Sequence, residues 1–333
     1  MGIFYRQALY DIIYKGGKMK DALGRKIDYL RISVTDKCNL RCKYCMPEEG
    51  ITHLNHDEIL TIDETLKIVE VFKDLGIKKV RLTGGEPLVR NGILDLVKGI
   101  KDMGIEEICM TTNAIKLYDM ADDLKKNGVD RFNISLDTLD ADKFRDITRG
   151  GDVNKVLKSI DLLKKMEMNP IKVNTVVMRN FNYDEIDDFV KFAEDGVIVR
   201  FIELMPIGEA IGKSDDYVSN EEIIKKIGNL QKIYSDSQKS KVAEYYTNPN
   251  GAVVGFINPI SHKFCSECNR VRLDCKGNLL MCLHSNKSIN LKDAIRNDED
   301  IRQIITQEIY NKPERHYLEE GNFNKRDMNT IGG

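Results

Sequence analysis

The chain has 333 residues, 41% of them apolar and 31% charged, with 51 basic side chains against 53 acidic ones. That length exceeds what one compact core usually organises, so a large domain with a smaller companion is expected. The near-cancelled charge excludes the global basic field of a nucleic-acid binder. No apolar run approaches the roughly 18 residues a membrane span requires, and the charged N-terminus carries no secretory signal, so a cytoplasmic protein with reduced thiols is expected.

From residue 28 to 204 short apolar runs alternate with amphipathic stretches. YLRISVT (29–35) reads as a strand. TIDETLKIVEVFKDLG reads as a helix opened by a capping box from Thr61 to Glu64 and closed by Gly76. Further strands are predicted at 78–85, 106–113, 130–137, 171–178 and 197–204, each separated by helical pattern. The rhythm predicts six βα units around a parallel sheet, as an open sheet or a partial barrel. Five chemically suggestive segments fall at predicted carboxyl ends of strands: the cysteine loop, TGGEP, TTN, SLD and ELMP. That is where sheets of this kind do their work. After residue 212 the rhythm changes: SNEEIIKKIG offers a second capping box, Ser219 to Glu222, and short strand-like pieces surround four more cysteines.

DKCNLRCKYCMPEEG places Cys38, Cys42 and Cys45 on one loop. Three thiolates can hold a [4Fe–4S] cube by three corners and leave one iron open to a small molecule. A zinc site completed by a distant ligand is the alternative. Further on, KFCSECNRVRLDCKGNLLMCL holds Cys265, Cys268, Cys275 and Cys282. These could close a Cys₄ zinc site, or Cys265, Cys268 and Cys282 could hold a second three-cysteine cluster with Cys275 as a bystander. Arg270 and Arg272 project to one face of a predicted strand and suit phosphate oxygens. Lys172, inside the apolar run IKVNTVV, calls for a partner, either phosphate or a neighbouring carboxylate.

CxxxCxxC with Tyr44 before the third cysteine, followed one βα unit later by Thr83-Gly84-Gly85-Glu86-Pro87, resembles the radical S-adenosylmethionine superfamily. The chain from YLRISVTDKCNLRCKYCMP through RLTGGEPLVR, TTN, NISLD, KVNTVV, RFIELMP and FCSECNRVRL to the terminal IGG is similar to the GTP 3′,8-cyclase family, which begins molybdenum-cofactor biosynthesis.

The resemblance implies an incomplete (βα)₆ TIM-like barrel (21–212) after an N-terminal extension (1–20). A smaller α+β C-terminal domain (213–333) would close the open side. It further implies two [4Fe–4S] clusters, on Cys38, Cys42 and Cys45 and on Cys265, Cys268 and Cys282. Tyr44, Gly85, Ser135 and Met205 would contact S-adenosylmethionine, with the glycines letting backbone approach the ligand's amino group. Arg31, Arg81, Thr111, Lys172, Arg270 and Arg272 would contact GTP. Arg270, Arg272 and the Gly332–Gly333 tail would take catalytic parts.

The activity implied is a lyase reaction. A 5′-deoxyadenosyl radical takes hydrogen from ribose C3′, and the ring closes on guanine C8 to give (8S)-3′,8-cyclo-7,8-dihydroguanosine 5′-triphosphate. A flavodoxin- or ferredoxin-like reductant would feed it and a cyclic pyranopterin monophosphate synthase would take the product, with the enzyme a monomer or homodimer. Two departures from the family stand out: Ala114 follows TTN where glycine is usual, and Cys275 is an extra thiol, expected on a hairpin turn facing away from the second cluster. Cys109, on a predicted strand, is expected to be a small buried side chain. A peptide-modifying radical maturase and a non-catalytic iron–sulfur or zinc protein are the competing readings. The first gives no reason for the Arg270–Arg272 pair, the second none for GGEP or the tail.

Overall fold

The computed structural model describes residues 19–234, 242–320, 324, 326 and 328–332. The expected extension 1–20 therefore lies, apart from Met19 and Lys20, outside the described residues.

All six expected strands form: β1 (Tyr29–Ser33), β2 (Lys79–Thr83), β3 (Glu107–Thr112), β4 (Arg131–Ser135), β5 (Lys172–Val177) and β6 (Ile198–Glu203). Each pairs in parallel with the next. Parallel pairing demands a long crossover, which helices such as α1 (Ile62–Asp74) and α2 (Ile93–Asp102) supply. Helix α1 opens on a reciprocal capping box: Thr61 Oγ1 accepts from Glu64 N at 3.1 Å and Glu64 Oε2 from Thr61 N at 2.9 Å. The second expected box is only half made. Ser219 accepts from Glu222 N, but the Glu222 carboxylate turns outward to Arg179 at 2.7 and 2.9 Å, a two-pronged charged bond that outcompetes the return bond to the cap.

The strands of the C-terminal region join the sheet of the barrel strands. They are β7 (Gln231–Lys232), β8 (Ala243–Thr247), β9 (Val253–Ile257), β10 (Arg270–Leu273), β11 (Asn278–Leu280) and β12 (Ile289–Asn290). The order is β12-β11-β10-β1-β2-β3-β4-β5-β6-β9-β8-β7. Strand β10 joins β1 and β9 joins β6, both in parallel, so the C-terminal residues extend the wall at both edges and the barrel stays open. A six-stranded parallel sheet would expose two unpaired edges, and these two strands satisfy them.

The two faces of the wall differ. Leu30, Ile32, Val80, Leu82, Phe132 and Ile134 point outward and join Ile68, Val69 and Phe72 of α1 in one buried core. The alternate residues, among them Arg31, Arg81, Asn133 and Lys172, face a cavity. Parallel sheets are ordinarily apolar on both faces. A polar inner face therefore marks a surface built for a ligand.

Candidate active site on the inner face of the sheet

The cavity measures about 1230 Å³, above the range typical for one small-molecule pocket. Both cysteine trios line it, Cys38, Cys42 and Cys45 at the carboxyl ends of β1 and β2, and Cys265, Cys268 and Cys282 beside β10.

The first trio sits on a loop clamped by TGGEP. Gly85 N donates to Thr35 O and Glu86 N to Lys37 O, both at 2.8 Å. A Cβ on Gly84 would lie 2.6 Å from Thr35 O, and one on Gly85 would overlap the carbonyls of Lys37 and Asp36. The cysteine loop's backbone thus requires both glycines, and both line the cavity. Glu86 is buried and accepts from Thr112 Oγ1 and Asn113 N, each at 2.7 Å, and from Leu88 N at 3.0 Å. Burial pushes its carboxyl up to about 7 against those bonds. Asn113 in turn donates to Cys38 Sγ at 3.7 Å, so TGGEP, TTN and the cysteine loop form one assembly. Burial raises the Cys38 thiol to about 11 and holds Cys42 well above its usual value, the latter also through Cys45. Tyr44 donates to Asp137 Oδ2 at 2.6 Å, and it lines the cavity with Ser135 and Met205.

The second trio is held by distant cations. Arg25, ion-paired with buried Asp21, donates to the carbonyls of Cys265 (2.8 Å), Glu314 (3.0 Å) and Pro313 (2.7 Å). Buried Lys312 donates to Arg270 O at 2.9 Å and to Met281 O. Burial would raise the Cys268 thiol, but Lys312 and Arg270 bring it below its usual value. Glu203, from ELMP, anchors the same region by accepting from Ile260 N and Ser261 N, both at 3.0 Å. Cys275 lies on the turn between β10 and β11, is buried, and is absent from the cavity wall. The expectation that it faces away from the second trio agrees with this placement. Cys109 is fully buried in β3.

Among the described residues no three His, Cys, Asp or Glu side chains gather tightly enough for a lone metal ion. A zinc site needs its donors converged on one point, whereas a cubane offers a separate iron to each thiolate. Cys265, Cys268 and Cys282 open on the shared cavity while Cys275 does not.

Between the trios runs a belt of cations. Arg31 lies in register with Arg81 on one side and Arg272 on the other. Arg81 donates to Thr111 Oγ1 at 3.3 Å. Lys172 donates to the hydroxyl of Tyr245 at 3.0 Å rather than to a carboxylate. Burial and Arg272 hold Arg31 well below the usual guanidinium value; burial and Arg270 bring Arg272 down to about 10. Such crowding of cations disfavours their charge.

Arg200, Tyr29 and Tyr245 also line the cavity and were not expected. With its amide oriented to satisfy its neighbours, Asn133 accepts from Arg81 Nη1 at 2.9 Å and Arg200 Nη2 at 2.6 Å. The signal for Arg200 was present: a cation inside the apolar run VIVRFIEL, the same anomaly that singles out Lys172.

The tail reaches this belt. Gly332 O accepts from Arg272 Nη1 at 2.6 Å, and Asn329 Nδ2 donates to Asp36 O at 2.9 Å. Gly332 has φ +68°, and a Cβ there would overlap Thr83 Oγ1, so this position needs glycine. Gly333 lies outside the described residues. Ala114 adopts φ 60°, which accounts for glycine being the easier residue there.

Comparison with known proteins agrees with this geometry. Residues 32–193 match the Radical SAM superfamily and residues 197–318 match Molybdenum Cofactor Synthesis C. The chain is 50% identical over 319 residues to a GTP 3′,8-cyclase of Peptoclostridium acidaminophilum, covering 94% of this chain and 98% of the relative. It is 50% identical over 326 residues to that of Alkaliphilus oremlandii, covering 95% and 100%. Among solved structures, Streptococcus suis SuiB bound to S-adenosylmethionine matches with TM-score 0.62 and 15% identity, over 91% of this chain and 70% of that one. SuiB bound to its precursor peptide SuiA matches with TM-score 0.61 and 16% identity, over 92% and 69%. At such identity this likeness concerns the fold alone.

Proposed function

Because the chain belongs to the GTP 3′,8-cyclase family of radical S-adenosylmethionine enzymes, we propose that its cavity holds one GTP molecule between two iron–sulfur clusters. The enzyme cyclises GTP in the first step of molybdenum-cofactor biosynthesis. When bound, the [4Fe–4S] cluster and S-adenosylmethionine supply the one-electron chemistry that starts the reaction. In our reading Cys38, Cys42 and Cys45 hold that cluster, while Tyr44, Gly85, Ser135 and Met205 shape the S-adenosylmethionine site beside it. Cys265, Cys268 and Cys282 hold a second cluster facing the guanine. Residues 21–212 form the radical barrel and 213–333 the part that carries the second cluster.

The observation that carries this reading is the belt of Arg31, Arg81, Lys172, Arg270 and Arg272 on the wall shared by both trios. A triphosphate bound there is neutralised by charge-assisted bonds. Its sugar and base then lie between the two thiol sets, and a single rigid pose makes an intramolecular ring closure competitive with side reactions. Arg272, bonded to Gly332 O, ties the tail to the substrate site. A flavodoxin- or ferredoxin-like reductant and a downstream synthase complete the proposed context, in the cytoplasm. No described helix is long and apolar enough to cross a membrane.

Anaerobic reconstitution with iron and sulfide, then incubation with S-adenosylmethionine, reductant and GTP, tests the reading. It predicts 5′-deoxyadenosine formation that depends on GTP. Formation that depends instead on a peptide would favour a maturase.

A further inference from the structure

Tyr29 opens β1, where its Cα pairs across the sheet with Lys79 of β2 and Arg270 of β10. It is buried, faces the cavity, and sits among four cations. Its hydroxyl accepts from Arg81 Nε. Its ring lies 5.1 Å from Lys79 Nζ, 5.4 Å from the Arg270 guanidinium and 5.9 Å from that of Arg81. Phe264 packs on Arg270 as well, at 5.9 Å, so this guanidinium contacts two aromatic rings. Such contacts restrict a long side chain to one pose and favour its charge. The Glu107 carboxylate on β3 is engaged elsewhere, by Lys79 at 3.0 Å and by Arg131.

We propose that Tyr29 is a positioning residue for the substrate's phosphate chain: its ring and hydroxyl hold Arg81 and Arg270 toward the cavity, where both guanidinium groups meet the arriving phosphates. The inference rests on the reading of the cation belt as a phosphate site. Its electrostatics agree. Burial raises the phenol, but Arg81, Arg31, Arg270 and Lys79 together bring it down to about 7. Phosphates entering the belt add negative charge beside it, which restores the neutral phenol, so a proton passes from buffer to the Tyr29 oxygen as the polyanion binds.

The test uses the reconstituted enzyme and inorganic tripolyphosphate at about pH 8, where the free polyanion no longer binds protons appreciably. Calorimetry in two buffers of different ionisation enthalpy gives the protons taken up. Wild type is expected to take up protons on binding, and Tyr29→Phe to take up less than about half as many. Tyr29→Phe keeps the ring but loses the charged bond to Arg81, so its affinity for tripolyphosphate should fall about tenfold. KM for GTP should rise by a similar factor, with kcat within about twofold. Failure of wild type to bind tripolyphosphate would overturn the phosphate-site reading and this inference with it. Binding without proton uptake by wild type, or with uptake and affinity unchanged in Tyr29→Phe, would overturn the inference alone.

Discussion

The two cysteine trios face the same cavity but are built in opposite ways. The first lies on one loop of eight residues, from Cys38 to Cys45, and is fixed by backbone-to-backbone bonds with the neighbouring strand end. The second joins Cys265 and Cys268 to Cys282 across the β10–β11 hairpin, and is fixed by Arg25 and Lys312 reaching in from remote segments. A local motif secured by glycine packing is sensitive to an added methyl group. A composite one secured by buried cations is sensitive to lost charge.

The largest effect separates the trios by chemistry. Cys42→Ala should abolish 5′-deoxyadenosine formation, whereas Cys268→Ala should abolish cyclised product while leaving some 5′-deoxyadenosine; chromatography of both products measures this. Next, Arg25→Met removes one partner of a buried ion pair and the bond to the Cys265 carbonyl. It should cost about 3 kcal/mol of unfolding free energy and reduce iron loading at the second trio while sparing the first. Gly85→Ala should do the converse, costing about 2 kcal/mol by overpacking against Asp36 and Lys37 and depleting iron at the first trio. Denaturant unfolding and iron analysis check both.

A pH experiment bears on the first trio. The Glu86 carboxyl is raised to about 7, so the folded state holds its proton more tightly than the unfolded chain does. Its contribution to stability is present below the ordinary glutamate range and is lost as pH rises through about 7. Unfolding of apoprotein across that window should show a fall with pH that is shallower in Glu86→Gln. The smallest effect is expected of Cys275→Ser: a change of about 1 kcal/mol with iron content and activity kept, because this thiol is not in the cavity wall.

The same contrast explains what was legible in the sequence. The six βα units, the capping box at Thr61 and the first trio are local patterns, set by spacing within a few residues, and they stand where expected. The packing role of Gly84 and Gly85 was not legible, because the backbone they pack against lies some fifty residues upstream. The entry of β9 and β10 into the barrel wall was not legible, since parallel pairing between chain ends leaves no local mark. Tyr29 likewise became visible as a hub only when register brought Lys79 and Arg270 beside it. Arg200 could have been found, as a cation within an apolar strand.

The central claim is that two cysteine trios hold two clusters around one nucleotide. Anomalous diffraction at the iron edge from anaerobic crystals grown with S-adenosylmethionine and GTP tests it most directly. The account predicts two iron centres, one on Cys38, Cys42 and Cys45 and one on Cys265, Cys268 and Cys282, with the triphosphate on Arg31, Arg81, Lys172, Arg270 and Arg272. A single iron centre, or zinc closed by Cys265, Cys268, Cys275 and Cys282, would contradict it.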